Sequence, residues 1–176
     1  MQMNKQCQFN KNIGNKLRSG LLLILAMVIV TGCGFKMRGD YLLPEQFQTL
    51  YVTSNDPHGE LTRFVKNHLS TNDVNIVKKN RDDIPELRIV KDSLNRRTLS
   101  LFENGQVAEY ELTYSVGYEI RFKGEEKQRF EFDVTRNYQD DPNRALAKSR
   151  ELNLLRKEMR IEAADIILRN LASANI

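Results

Sequence analysis

Residues 110–122 read YELTYSVGYEIRF, with Tyr110, Leu112, Tyr114, Val116, Tyr118, Ile120 and Phe122 at every even position. Glu111, Thr113, Ser115, Gly117, Glu119 and Arg121 fill the odd positions. Successive side chains on a strand point to opposite faces, so strict alternation over this length requires one buried and one polar sheet face. A single long amphipathic strand has no partner of its own, and the flanking residues supply them. Upstream, Asn104-Gly105 is a strong short hairpin signal, because a two-residue type I′ loop needs positive φ at both central positions. That loop pairs Glu103 with Gln106, Leu101 with Ala108, Ser100 with Glu109 and Leu99 with Tyr110. Downstream, a two-residue Lys123-Gly124 loop would set Arg129 against Tyr118. An odd-length loop centred on Gly124 instead pairs Phe130 with Tyr118, Phe132 with Val116 and Val134 with Tyr114, so the odd loop is expected.

Outside this three-stranded block, Thr49–Ser54 alternates as a strand and Val74–Val77 is short and β-branched. Between them Asp56-Pro57 offers an N-cap acceptor and an N1 proline, and Leu61, Phe64, Val65 and Leu69 recur at helical spacing. Strand, crossover helix and strand predict one parallel pair. Asp141-Pro142 repeats the helix-start chemistry ahead of a helix running to about Leu171, with Leu152, Leu155, Met159, Ala163, Ile166 and Ile167 as its apolar stripe. Two one-sided helices and a one-sided sheet bury each other only as two layers. The expected fold is α+β: two helices packed on one face of a small mixed, mostly antiparallel sheet of four to five strands.

The N-terminus carries a different signal. Lys5, Lys11, Lys16 and Arg18 precede Leu21–Val30, ten uncharged apolar residues that close on Val30-Thr31-Gly32-Cys33. A positive region, a short apolar run and small residues at the boundary make a secretory signal. Ten residues rise about 15 Å as a helix, short of the ~30 Å of hydrocarbon a span must cross. The aliphatic-small-small-cysteine ending resembles a lipobox, which implies cleavage before Cys33 and diacylglycerol on its sulfur. The expected organisation is a signal peptide over 1–32, a lipidated tether over 33–48 and one α+β domain over 49–176. Removing residues 1–32 takes four of 27 basic residues and no acid, leaving 23 basic against 23 acidic in 144 residues. The precursor's basic pI is therefore no argument for a nucleic-acid partner. Cys7 is discarded with the signal and Cys33 is acylated, so no thiol remains for a disulfide, a metal or catalysis.

Catalytic patterns are scarce. The chain lacks G-x-S-x-G, H-E-x-x-H, a Walker A loop and paired CxxC, so no enzyme is expected. His58 and His68 stand nearly three helical turns apart, too far to share a metal. The hairpin registers place Arg97 and Arg136 on either side of Leu112, on the apolar face. Two readings are open: an anion contact near the sheet edge, or a bulge that turns Arg97 outward, which we favour.

Several ordered segments resemble the LptE family of lipopolysaccharide-assembly lipoproteins: CGFKMR at 33–38, SNDPHG at 54–59, NGQVAEY at 104–110, ALAK at 145–148, and EMR at 158–160 with Ala163-Ala164. The resemblance implies two helices on a small sheet, no catalysis, and no cofactor beyond the covalent diacylglycerol and N-acyl lipid on Cys33. It implies a one-to-one complex inside the LptD β-barrel, help with that barrel's assembly, lipopolysaccharide binding, and a lipid anchor in the outer membrane. Gly34 after the cysteine resembles the pattern of lipoproteins sorted to that membrane. The family's lipopolysaccharide contacts include the lysine of A-L-A-K, which is Lys148 here. They also include a basic residue before the Asn-Gly turn, where this chain has the acid Glu103. Arg96, Arg97 or Lys127 would then substitute, with Arg136 as the further candidate from the register. The alternative is a structural lipoprotein of another envelope-assembly machine without lipopolysaccharide affinity.

Overall fold

The structure is a computed structural model and describes residues 43–173. The expected signal peptide, Cys33 and most of the expected tether lie outside the described residues. Strand β1 (Thr49–Ser54) is followed by helix α1 (Glu60–Thr71), β2 (Asn75–Val77), β3 (Glu86–Leu101), β4 (Val107–Arg121), β5 (Gln128–Gln139) and α2 (Ala145–Ser173). One five-stranded mixed sheet has the order β2-β1-β3-β4-β5. β1 is parallel to both β2 and β3, one parallel pair more than the sequence suggested, and the β3–β4 and β4–β5 pairs are antiparallel. Both helices contribute to one core with Leu50, Leu87, Ile89, Leu112, Tyr114, Tyr118 and Ile120 of the sheet. Leu61, Val65 and Leu69 of α1 are fully buried there, as are Met159, Ala163, Ile167 and Leu171 of α2.

The opposite face is a polar lattice. Arg97 pairs with Glu111 at 2.9 Å, Arg121 with Glu86 at 2.7 Å and Arg129 with Glu131 at 2.7 Å. Gly117 sits on this face between Lys91 and Glu131, and a Cβ there would come within 3.1 Å of the Lys91 Cβ.

The β4–β5 register is the expected one: Phe130 faces Tyr118, Phe132 faces Val116 and Val134 faces Tyr114. Glu125 N donates to the Phe122 carbonyl, and Gly124 at φ +73° takes the positive-φ position of that turn.

The β3–β4 hairpin differs in three ways. Its tip is a three-residue loop, not a two-residue type I′ turn. Gly105 N donates to the Phe102 carbonyl, and Phe102 N donates to the Gln106 carbonyl. Only Gly105 has positive φ, at +80°, which is a type I turn followed by a G1 bulge. Leu101 then faces Val107 instead of Ala108, and the register slips around Leu99, so that Thr98, not Leu99, faces Tyr110; Ser100 faces Glu109 as expected. A second slip lies between Ile89 and Lys91, leaving Val90 as the extra residue. Between the two slips every β3 side chain is displaced by one position. Arg96 therefore faces Leu112 on the core side and Arg97 faces Glu111 on the polar side, the outward turn favoured for Arg97.

The first helix also starts later than Asp56-Pro57 suggested. Asp56 closes a turn of its own: its Oδ1 accepts from His58 N, and its carbonyl accepts from Gly59 N and from Thr62 Oγ1. With the Asp56 side chain committed to that turn, Gly59 becomes the N-cap of α1. At the second site the expectation holds, since Asp141 Oδ1 accepts from Asn143 N at the head of a short 3-10 turn that runs into α2.

Candidate functional site

The tight core on α2 begins at Met159, yet the helix starts at Ala145. Its first three turns stand over the end of the sheet nearest the β3–β4 tip and enclose a cleft of about 440 Å³. Ala145, Lys148, Ser149, Leu152 and Arg156 form the helical wall, and the spacing of three and four puts them on one face. Leu94, Tyr110, Leu112 and Tyr138 form the floor, with Arg96 opposite the helix and Asp140 at the rim.

Two cations in this cleft lie against aromatic rings. The Arg96 guanidinium is 5.0 Å from the Tyr110 ring centre and Lys148 Nζ is 5.4 Å from that of Tyr138. Both fall within the ~6 Å at which a ring face attracts a cation. Tyr110 and Tyr138 are themselves cross-strand partners. Tyr138 Oη donates to the Lys148 carbonyl at 2.9 Å, fastening the first turns of α2 to β5. Burial, reinforced by the nearby Asp140 carboxylate, raises the Tyr138 phenol above its ordinary value, so it remains a donor at neutral pH. The Lys148 side chain is only 18% exposed, against 72% for that of Arg97, and its ammonium pairs with Glu151 at 2.9 Å. Arg156 is half-buried, and its Nε is buried without a hydrogen-bond partner.

Of the basic residues singled out in the sequence, Arg96 and Lys148 come together here. The rest do not. Arg97 is held on the opposite sheet face by Glu111. Arg136 flanks Leu112 as expected, but its guanidinium turns to Glu162 on α2 and to the Thr135 carbonyl. Lys127 lies by the Gly124 hairpin, 3.9 Å from Glu119 and at the far end of β4. Arg156 was missed, although Lys148, Leu152 and Arg156 follow the i, i+4, i+8 row that puts residues on one helical face.

A second, larger groove adjoins the first at Lys148, which lines both. It runs between the hairpin tip, with Phe102, Glu103 and Gln106, and the segment from Gln139 to Arg144. Leu101 and Phe102 are exposed at that tip, and Leu146 is exposed two residues before Lys148. Cations on an aliphatic and aromatic floor, beside exposed apolar side chains, suit a ligand that is anionic at one end and apolar at the other. No group of three or more His, Cys, Asp or Glu residues that could hold a metal occurs among the described residues.

Residues 47–171 match the family model described as "LptE: Lipopolysaccharide-assembly". The chain is 41% identical over 156 residues to the LPS-assembly lipoprotein LptE of Pectobacterium atrosepticum, covering 88% of this chain and 85% of that protein. It is 40% identical to the LptE of Yersinia enterocolitica, covering 86% and 73%. Among solved structures, rare lipoprotein B from Shewanella oneidensis superposes with a TM-score of 0.66 at 49% identity, over 71% of this chain and 94% of that one. An uncharacterized lipoprotein B from Nitrosomonas europaea gives 0.64 at 29% identity, over 80% and 91%. The two-layer fold, the ordered sequence matches and these likenesses over most of its length agree that the chain belongs to the LptE lipopolysaccharide-assembly family.

Proposed function

We propose that this protein is a non-enzymatic outer-membrane lipoprotein, anchored through lipid on Cys33, which sits one-to-one inside the LptD β-barrel, assists its assembly and binds lipopolysaccharide on its way to the cell surface. Membership of the lipopolysaccharide-assembly family supports the cargo. The observation that carries the reading is the sheltered Lys148 in a cleft that joins cations to an apolar floor. The outward sheet face supports the barrel role: its paired charges and hydroxyls suit a wet lumen, since large outer-membrane barrels are polar inside. No helix among the described residues is long and apolar enough to cross a membrane, so none of them supplies a helical anchor in place of lipid.

Affinity capture of the full chain from detergent-solubilised outer membrane tests the partner. A single large β-barrel protein should be recovered in equal amount, and labelled lipopolysaccharide should bind the captured complex. Recovery of other envelope proteins without that barrel, and without lipopolysaccharide affinity, would favour a structural role in a different machine.

A further inference from the structure

Arg156 is the least explained side chain of the fold. Among the described residues it makes no hydrogen bond or ion pair, its Nε is shut away from solvent, and it lines the cleft that holds Arg96 and Lys148. Burying a guanidinium N–H without an acceptor is costly, and the terminal N–H groups, which are not shut away, are the ones an anion entering the cleft can reach. Arg156 follows Lys148 by eight residues on one helical face, about 12 Å along the axis, with apolar Leu152 midway. Arg96 faces them from β3, and it too has no acidic partner among the described residues. Of the acids nearby, Asp140 lines the rim and its carboxylate already accepts from Asp141 N at 2.9 Å, while Glu151 holds Lys148 from outside the lining. Three cations and one acid leave the cleft net positive.

We infer that Arg156, with Arg96 opposite it and Lys148 at the mouth, forms a clasp for the phosphomonoester of a phosphorylated glycolipid. The inference rests on the proposed lipopolysaccharide reading and assigns a residue and a chemical group to it. Guanidinium N–H groups match phosphate oxygens in pairs, and a dianion takes more than one cation. The ligand is a lipid head group and not free phosphate, because Leu94, Leu112 and Leu152 share the lining and the exposed Phe102 lines the adjoining groove.

The test uses the full chain purified in mild detergent and three probes: labelled lipopolysaccharide, the same lipid stripped of its phosphomonoesters, and inorganic phosphate. Arg156→Gln should weaken binding of the intact lipid about tenfold, the size of one lost charge-assisted hydrogen bond. It should leave binding of the stripped lipid unchanged, and Arg156→Lys should recover part of the loss. Millimolar inorganic phosphate should not displace the intact lipid. If Arg156→Gln binds intact lipopolysaccharide as the parent does, or loses both lipids equally, the clasp is wrong while the family role stands. Displacement by inorganic phosphate would overturn the head-group assignment. Failure of the parent protein to bind intact lipopolysaccharide at all would instead remove the proposed function.

Discussion

Tyr118→Ala will cost about 3–5 kcal/mol of folding stability, a large part of the 5–15 kcal/mol that holds a domain together. Tyr118 is fully buried and ties three elements. Its ring lies 5.1 Å from that of its cross-strand partner Phe130 at an interplanar angle of 16°, and meets Phe132 edge-on at 6.4 Å. Its hydroxyl accepts from Asn170 Nδ2 at 3.0 Å, near the C-terminal end of α2. Truncation removes the ring contacts and leaves a cavity between sheet and helix that neighbours fill only in part. Urea unfolding of the two proteins should show the midpoint fall, while Leu154→Ala, at an exposed helix position, should stay within about 0.5 kcal/mol of the parent. A Tyr118→Ala protein as stable as the parent would mean that the helix does not pack on the sheet as described.

The same side chain gives the fold an alkaline limit. Burial raises the Tyr118 phenol above its ordinary value near 10; Tyr114 is raised by burial and then by its hydrogen bond to Asp92, and Tyr138 by burial and then Asp140. The unfolded chain therefore releases these protons first. Their contribution to stability is fully present below about pH 10 and is lost as pH climbs from there toward the raised values. In Tyr118→Phe the fall above pH 10 should be shallower by roughly 1.4 kcal/mol per pH unit, the linkage slope of one proton. Unfolding midpoints measured across that range check it.

Where one local rule decides the outcome, the chain reads directly. The alternation from Tyr110 to Phe122 fixes the inward residues of β4, and Gly124 fixes an odd loop that leaves one β4–β5 register consistent with a buried Phe130. The arginine pair could not be read in the same way. Its placement depends on slips near Val90 and Leu99, and a bulge adds one residue without disturbing the composition on either side. Displacing the register by one residue exchanges Arg97 for Arg96, so the motif survives while the residue changes. Asn104-Gly105 misleads for a related reason: positive φ at Gly105 alone fits a three-residue loop, and the dipeptide is shared by both turns. Lys148 was found by resemblance, not by pattern, because an isolated helix lysine carries no local signal. Arg156 sits in Leu154-Leu155-Arg156-Lys157, where it passes for the polar side of the helix. Its row also carries Leu152 of the apolar stripe, and the cleft shows that row facing the sheet.

Cys33→Ser will move the protein from the membrane to the soluble fraction. The substitution removes the one sulfur to which a thioether-linked lipid can attach at the expected boundary, and the charge-free run before it is too short to replace that lipid as a span. One acyl chain gives only marginal, reversible membrane binding, and each further chain multiplies the partition coefficient through roughly 0.8 kcal/mol per buried CH₂. Losing every chain at once is therefore expected to change membrane partition by many orders of magnitude. Fractionation after carbonate washing measures the shift, and mass analysis of the parent's N-terminus should find the acyl groups on Cys33. The cleft is built from β3, β4, β5 and α2, all far along the chain from Cys33. In detergent, Cys33→Ser should thus bind lipopolysaccharide as tightly as the parent, because the proposed anchor would set local concentration at the membrane and not the contacts the cleft makes. A Cys33→Ser protein that stays in the membrane pellet, or a parent whose Cys33 carries no lipid, would place the anchor elsewhere. Normal anchoring with weakened lipopolysaccharide binding in Arg156→Gln, and the reverse in Cys33→Ser, would show that membrane address and cargo grip are separate devices on one chain.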